Sequence, residues 1–254
     1  MGNLMRVAIC QPTYLPWLGY FDLMDQVDTF VLLDTVQFEK QSWQQRNRIK
    51  TPTGLQWLTV PIVFRGRSGQ KICEVEIRDT NFGRTHMRAI ELNYSRGRFF
   101  PDFFPGISAI LGSIDPGMRL VDLNVRLLEW FVKVLGIRTP MVLASSLDEA
   151  GKRTLLLANL CRKLGAEQYV SPLGSAEYLL GELAVMTEAK IETLFHNYVH
   201  PQYEQRFPPF LPFASVIDLI FNEGDRSMEI IRSGRQNLLT PDQVSTKTTE
   251  AKEA

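Results

Sequence analysis

Residues 7–34 read VAICQPTYLPWLGYFDLMDQVDTFVLLD, and the punctuation of this stretch decides the fold. Residues 7–10 are apolar in sequence, as in a strand buried on both faces. Pro12 and Pro16 lack an amide donor and fix φ, so residues 11–16 are neither strand interior nor helix. Pro16 suits the first turn of a helix, where the missing N–H costs nothing. Leu18, Phe21, Leu23, Met24 and Val27 then recur at helical spacing. Residues 30–33 read as a second buried strand with Asp34 at its end. Strand, loop, helix and strand in this span make a βαβ crossover, and hence a parallel sheet. In open parallel sheets ligands bind beyond the carboxyl ends of the strands. Residues 11–17 and 34–50 both leave the sheet on that edge. A helix starting near Pro16 turns free N–H groups toward the same place, which favours an anion. Trp17, Tyr20 and Phe21 serve equally well as packing, so the crossover alone does not establish an activity.

Downstream, Thr51-Pro52-Thr53-Gly54 is a turn between two strand-like runs, 44–49 and 55–63. Residues 72–77 alternate apolar and acidic side chains, as in a half-exposed strand. Residues 43–77 are therefore expected to form an antiparallel excursion from the parallel sheet. Residues 82–94 carry Phe82, His86, Ile90 and Tyr94 on one helical face. Residues 99–104 are aromatic with one proline inside and another following, and read as a packed loop. Residues 120–135 are an amphipathic helix stopped by Gly136. From there helix and strand alternate at βαβ spacing: strands at 141–144, 168–171 and 193–198, helices at 151–164 and 176–182. Residues 213–221 are a short apolar helix or strand containing Asp218. A further helix starts at 227. The expected architecture is one α/β domain over 1–239, a mainly parallel Rossmann-like sheet flanked by helices. Residues 240–254 are polar and lack aromatics, as a flexible tail does.

Composition narrows the function classes. The 254 residues are 44% hydrophobic and 22% charged, which fits a water-soluble globule with a sizeable core. Lys plus Arg and Asp plus Glu are 28 each, so overall charge gives no sign of DNA binding. The charge is nonetheless segregated: residues 40–98 hold twelve basic and four acidic side chains, a net +8, leaving −8 elsewhere. Such a segment can steer an anionic small molecule, or simply keep a surface wet. No apolar run approaches a membrane span and the start lacks a signal pattern, so a cytoplasmic protein is expected. Cys10, Cys73 and Cys161 are widely spaced and suggest neither zinc nor a disulfide framework. No metal or cofactor motif appears: no HExxH, P-loop, G-x-G-x-x-G or G-x-S-x-G.

Candidate chemistry is sparse. His86, His196 and His200 are the only histidines. His86 sits on an apolar helix face, His196 in a strand-like run, and His200 in a loop beside Tyr203 and Gln205. His86, His200 and Asp34 are the base candidates. Gln11 and Asn47 are possible donors, Arg46, Arg48 and Lys50 possible phosphate holders, and Tyr14, Trp17 and Trp43 possible stacking surfaces. Ser146 and Ser171 lie at strand ends, where serine also caps helices. Asp218 is costly in an apolar run unless it caps a turn or faces a polar site.

The opening unit resembles the nucleotidylyltransferase-like arrangement, although Trp17-Leu18-Gly19-Tyr20 stands where an HxGH signature would be. A broader resemblance covers almost the whole chain. QPTYLPWLGYF at 11–21, LDTVQFEK at 33–40, RNRIKTPTG at 46–54, WLTVP at 57–61, HPQYEQRF at 200–207 and IDLIFNEG at 217–224 resemble the WbqC-like protein family. So do His86 with Asn93-Tyr94, LASSL at 143–147 with Gly151-Lys152, and KLGAEQYVS at 163–171. Ser171-Pro172-Leu173-Gly174 departs from a more glycine-rich turn. The resemblance implies a transferase that moves glycine or another small acyl group onto an amino sugar in surface-polysaccharide biosynthesis. It brings Gln37, Lys152, Tyr203, Gln205 and Asn222 into the candidate substrate site. The implied donor is an adenylate, a carrier-protein thioester or an aminoacyl-tRNA. A non-catalytic nucleotide-sugar or carrier-binding protein and a divergent nucleotidyltransferase are the alternatives.

Overall fold

The computed structural model describes residues 4–67 and 69–246. In chain order the elements are β1 (Arg6–Cys10), α1 (Leu18–Asp25), β2 (Thr29–Leu32), β3 (Arg46–Thr51), β4 (Gly54–Thr59), α2 (Phe82–Tyr94), α3 (Phe100–Gly112), α4 (Leu120–Leu135), β5 (Met141–Leu143), α5 (Arg153–Lys163), β6 (Gln168–Ser171), α6 (Ala176–Leu180), α7 (Leu183–Glu188), β7 (Glu192–Phe195), α8 (Val216–Glu223) and α9 (Ser227–Ser233). Five strands form one parallel sheet in the order β5-β2-β1-β6-β7. β3 and β4 form a separate antiparallel hairpin. This is the α/β architecture the sequence predicts.

Alternation along the central strands builds two cores. Ala8, Phe30 and Leu32 face a cluster with α1, α2, α4 and α8, including Phe21, Ile90, Phe131 and Ile220. Val7, Ile9 and Val31 face the opposite cluster with α5 to α7, including Leu157, Leu160, Leu179 and Met186. Burial on both faces is why residues 7–10 are apolar without a break. The chain leaves β1 toward β2 and β5, then returns past β1 to β6 and β7. The direction of winding therefore switches between β1 and β6, and a ligand crevice is expected beyond their carboxyl ends.

Three local readings are corrected. Residues 72–77 are not a strand: Ile72–Glu74 form a 3-10 turn, in which the Lys71 N–H donates to the Glu74 carboxylate at 2.8 Å. Residues 99–104 are not a loop: α3 begins at Phe100, places Pro101 in its first turn and continues through Pro105. Proline at a helix start forfeits no bond, so its presence there did not break the element. Residues 241–246 are helical, and Val244 packs into the second core. Residues 247–254, the rest of the expected tail, lie outside the described residues. Among the described residues no helix is long and apolar enough to cross a membrane.

Candidate functional site

Three remote segments are stitched together beside the β1 carboxyl end. The Tyr14 N–H donates to the Trp43 carbonyl at 2.9 Å, and Asn47 Nδ2 donates to the Leu15 carbonyl at 2.7 Å. From the third segment, the Ser215 N–H donates to Arg48 O and the Val216 N–H to Pro16 O, both at 2.8 Å. These bonds hold the 11–17 loop, the β3–β4 hairpin and the loop before α8 around a cavity of about 410 Å³. Thr13, Pro16, Trp17 and Tyr20 line it from the first segment, Trp43, Asn47 and Arg48 from the second, and Phe213 from the third. Of the sequence candidates, Trp17, Trp43, Asn47 and Arg48 form its wall. Gln11 stands behind it, accepting from Gln44 Nε2 at 2.7 Å and, through its carbonyl, from the Tyr20 hydroxyl at 3.2 Å.

The wall is aromatic and cationic. The Arg48 guanidinium lies 5.6 Å from the Trp43 ring centroid and 5.3 Å from that of Trp57, and the two indoles pack 5.4 Å apart. Arg48 Nε and Thr13 Oγ1 are buried with no hydrogen-bond partner among the described residues. An unpaired buried donor or acceptor costs roughly 1–3 kcal/mol, so both mark places where a ligand would return energy. Asn47 is engaged at both ends of its amide. Its Oδ1 already accepts from the Arg48 N–H at 2.8 Å, so it shapes the wall.

Trp17 is the hinge of the arrangement. Its ring stacks at 15° to His200 with centroids 6.3 Å apart and tilts against Phe213 at 5.7 Å. The ring also folds over Gly19, where an added Cβ would meet Cη2, Cζ2 and Cζ3 at 2.2–2.6 Å. That overlap is the physical reason for glycine in the Trp-Leu-Gly-Tyr string. Gly19→Ala is expected to expel the Trp17 ring from the wall and change the near-UV circular dichroism. Helix propensity gained by alanine offsets much of the overpacking, so stability should fall by only about 1 kcal/mol. An unchanged near-UV spectrum would contradict this packing.

His200 does not line the cavity but stands directly behind Trp17 and Phe213. Its Nδ1–H donates to the Pro201 carbonyl at 2.9 Å, since a carbonyl can only accept. The neutral ring therefore carries its lone pair on Nε2, which is buried and unpartnered. Burial holds the imidazole below its usual 6.5, keeping that lone pair free at neutral pH.

The other candidates are placed elsewhere. His86 is buried, with Nδ1 2.8 Å from the Tyr14 hydroxyl and the ring bonded to the Thr59 backbone; it braces α2 against the 11–17 loop and β4. Asp34 is buried and accepts from the Ser145 N–H at 2.9 Å, tying the ends of β2 and β5. Lys50, expected beside Arg46 and Arg48 as a phosphate holder, is 1% exposed. Alternation puts Arg46, Arg48 and Lys50 on the same face of β3, but that face becomes covered along the strand: Lys50 lies in the core beside Asp218, and its N–H donates to the Tyr94 hydroxyl at 2.9 Å. Asp218 is fully buried and accepts from Tyr94 at 2.8 Å, Tyr203 at 2.7 Å and Gln205 at 2.9 Å. Tyr203, Gln205 and Asp218 thus form a buried scaffold under the 200–215 loop, and Asn222 Nδ2 donates to the Asp218 carbonyl at 2.7 Å. Ser171 is buried at the end of β6. Gln37, Ser146 and Lys152 are exposed and away from the cavity lining.

Thr13, Tyr20 and Phe213 are wall residues that sequence reading did not single out as binding groups. Thr13 lies inside the quoted QPTY string, and Tyr20 reads as helix packing. Nothing local marks Phe213, whose left-handed φ of 62° comes from the loop it closes. Among the described residues no group of three or more histidine, cysteine or acidic side chains could hold a metal.

The comparisons with known proteins agree with the extent of the resemblance. The family model for the WbqC-like protein family matches residues 11–230, which include every cavity-lining side chain. A protein of Mycobacterium tuberculosis, titled "Uncharacterized protein Rv1507c", is 38% identical over 234 residues, 92% of this chain and 100% of the relative. No solved structure matches. With a family match over this span and a relative aligned over its whole length, the chain belongs to the WbqC-like protein family.

Proposed function

We propose that this protein is a transferase that moves a small acyl or aminoacyl group, glycine being the family's suggested case, onto the amine of an amino sugar or related acceptor. The observation that carries the reading is the free Nε2 lone pair of His200 behind an aromatic cavity whose one cation, Arg48, is unpaired. Acyl transfer to an amine needs a base for the ammonium proton and donors for the carbonyl oxygen as charge develops. In this reading His200 is the base, reached when substrate displaces the Trp17 or Phe213 ring. The Arg48 guanidinium and the Thr13 hydroxyl face the oxyanion. The lining hydroxyls have no activating base, since Thr13 Oγ1 has no hydrogen-bond partner among the described residues and Tyr20 donates to the Gln11 carbonyl. This favours direct transfer, the amine attacking the acyl carbon as the donor's carrier group leaves. His86 and Asp34 are committed to structural hydrogen bonds and drop out as bases.

One observation favours a second reading, a non-catalytic nucleotide-sugar or carrier-binding protein: none of the three base candidates lines the cavity. The experiment separates the two. Purified protein is offered glycyl-adenylate analogues or glycyl-tRNA with a panel of amino sugars, and acylated product is followed by mass spectrometry. Under the transferase reading His200→Gln lowers turnover by about 10²–10⁴-fold. Arg48→Ala should lower it by about 10–100-fold. Product formation by His200→Gln at the wild-type rate would remove His200 as the base. No product from any donor would leave the binding reading.

A further inference from the structure

Beside the cavity lies a larger groove of about 930 Å³ whose charged lining residues are all cations. Lys40, Arg46, Arg65 and Arg78 surround a floor of Val60, Pro61, Ile62 and Phe64. No acid lines it. None of these four cations makes a side-chain hydrogen bond or ion pair among the described residues, and Arg46 Nε is buried without a partner. Two of them rest on aromatic faces: Lys40 lies 5.2 Å from the Phe64 centroid, and Arg46 lies 4.3 Å from that of Trp57.

Three acids from the 74–79 stretch are engaged elsewhere. Glu76 pairs with Arg67 at 3.0 Å, Glu74 accepts the Lys71 N–H at 2.8 Å, and Asp79 accepts from Asn81 at 2.9 Å. Part of the lining backbone is also engaged. The N–H groups of Val60, Val63 and Arg78 are already donated to Gln45, Glu76 and Pro61. The unpaired charges of the groove are guanidinium and ammonium groups, the set suited to phosphate oxygens.

The groove and the cavity are joined. Arg46 lines one and Arg48 the other, two residues apart on the same face of β3, a step of about 7 Å. Both guanidinium groups rest on Trp57.

We infer that this groove is a phosphate subsite that takes the diphosphate of a nucleoside-diphosphate ligand, whose remaining end passes over Trp57 into the aromatic cavity. The apolar floor gives a ribose or base a surface that bare polyphosphate does not need. The cations line a depression, whereas a nucleic-acid strand needs a long cationic track. The inference rests on the transfer reading only for what happens at the cavity end; phosphate binding is tested apart from it.

The test is calorimetric titration of the whole protein with UDP, GDP and ADP, with their nucleosides and with inorganic phosphate, at low and high salt. At least one diphosphate should bind about tenfold or more tighter than its nucleoside, with affinity falling as salt rises. Arg65 and Arg78 are exposed, so R65A/R78A should keep its melting temperature. That double variant should weaken the diphosphate by about tenfold or more and leave the nucleoside unchanged. Diphosphates no tighter than nucleosides, or wild-type affinity in R65A/R78A, would overturn the assignment. So would a single-stranded oligonucleotide or an acyl-carrier protein that binds more tightly than every diphosphate and is lost in the same variant. Because no acyl donor is present, a negative titration counts against the groove alone. A positive titration with no transfer product counts against the transferase reading alone.

Discussion

Asp218→Ala is expected to lower the unfolding free energy by about 3–5 kcal/mol, the usual result of deleting one member of a buried charged network. The carboxylate is fully buried and receives the Tyr94 and Tyr203 hydroxyls and the Gln205 amide. Burial pushes its pKa up, and those three donors with nearby Lys50 pull the other way. Removing it strands all three donors and leaves the 1%-exposed Lys50 without its counter-charge. A loss of this size is a large part of an ordinary domain's stability. Asp218→Asn keeps the shape and one acceptor oxygen, so it should cost less, about 1–3 kcal/mol. Urea unfolding followed by circular dichroism measures both. A cost below that of a surface substitution in Asp218→Ala would mean that the network carries no stability. The functional consequence is positional: Tyr203 and Gln205 anchor the loop that delivers His200 and Phe213, so the partly stable Asn variant should also bind ligand less well.

The second large effect is a dependence of stability on pH set by His86. Burial lowers its pKa from 6.5 to about 4, while the Thr59 backbone bond opposes the shift. Between these values the unfolded chain takes up a proton that the folded chain refuses. Stability therefore falls as pH drops from about 6.5 to about 4 and gains no further loss from this group below that. The full difference is about 3 kcal/mol at 1.36 kcal/mol per unit. In His86→Gln, which retains an acceptor for the Tyr14 hydroxyl, this component should vanish. Carboxylates titrate in part of the same window, so the informative quantity is the wild-type curve minus the variant curve. Parallel curves would show that His86 is not the buried neutral brace described above.

These two effects rest on residues whose roles were only half visible in the chain. His86 stands on an apolar helix face, and that spacing already allowed a core histidine. Which reading holds depends on Tyr14, 72 residues away, whose hydroxyl reaches Nδ1. Asp218 in an apolar run announced a paired acid, but its donors come from residues 94, 203 and 205. Lys50 could not be told from Arg46 and Arg48, which share its face of β3, until Tyr94 and Asp218 covered the far end of that face. Gly19 was legible only as part of a string, because the ring it accommodates returns to it through a rotamer.

What the sequence determined by itself was periodicity and punctuation. The apolar runs at 7–10 and 30–33, the helical spacing at 82–94 and 120–135, and the prolines at 12 and 16 specify parallel strands with helices between them. These signals are local, since each depends on backbone geometry within a few residues. The tertiary structure alone decided which polar side chains face ligand and which face each other. That choice depends on groups brought together from opposite ends of the chain, and on the cost of leaving any buried donor, acceptor or charge without a partner.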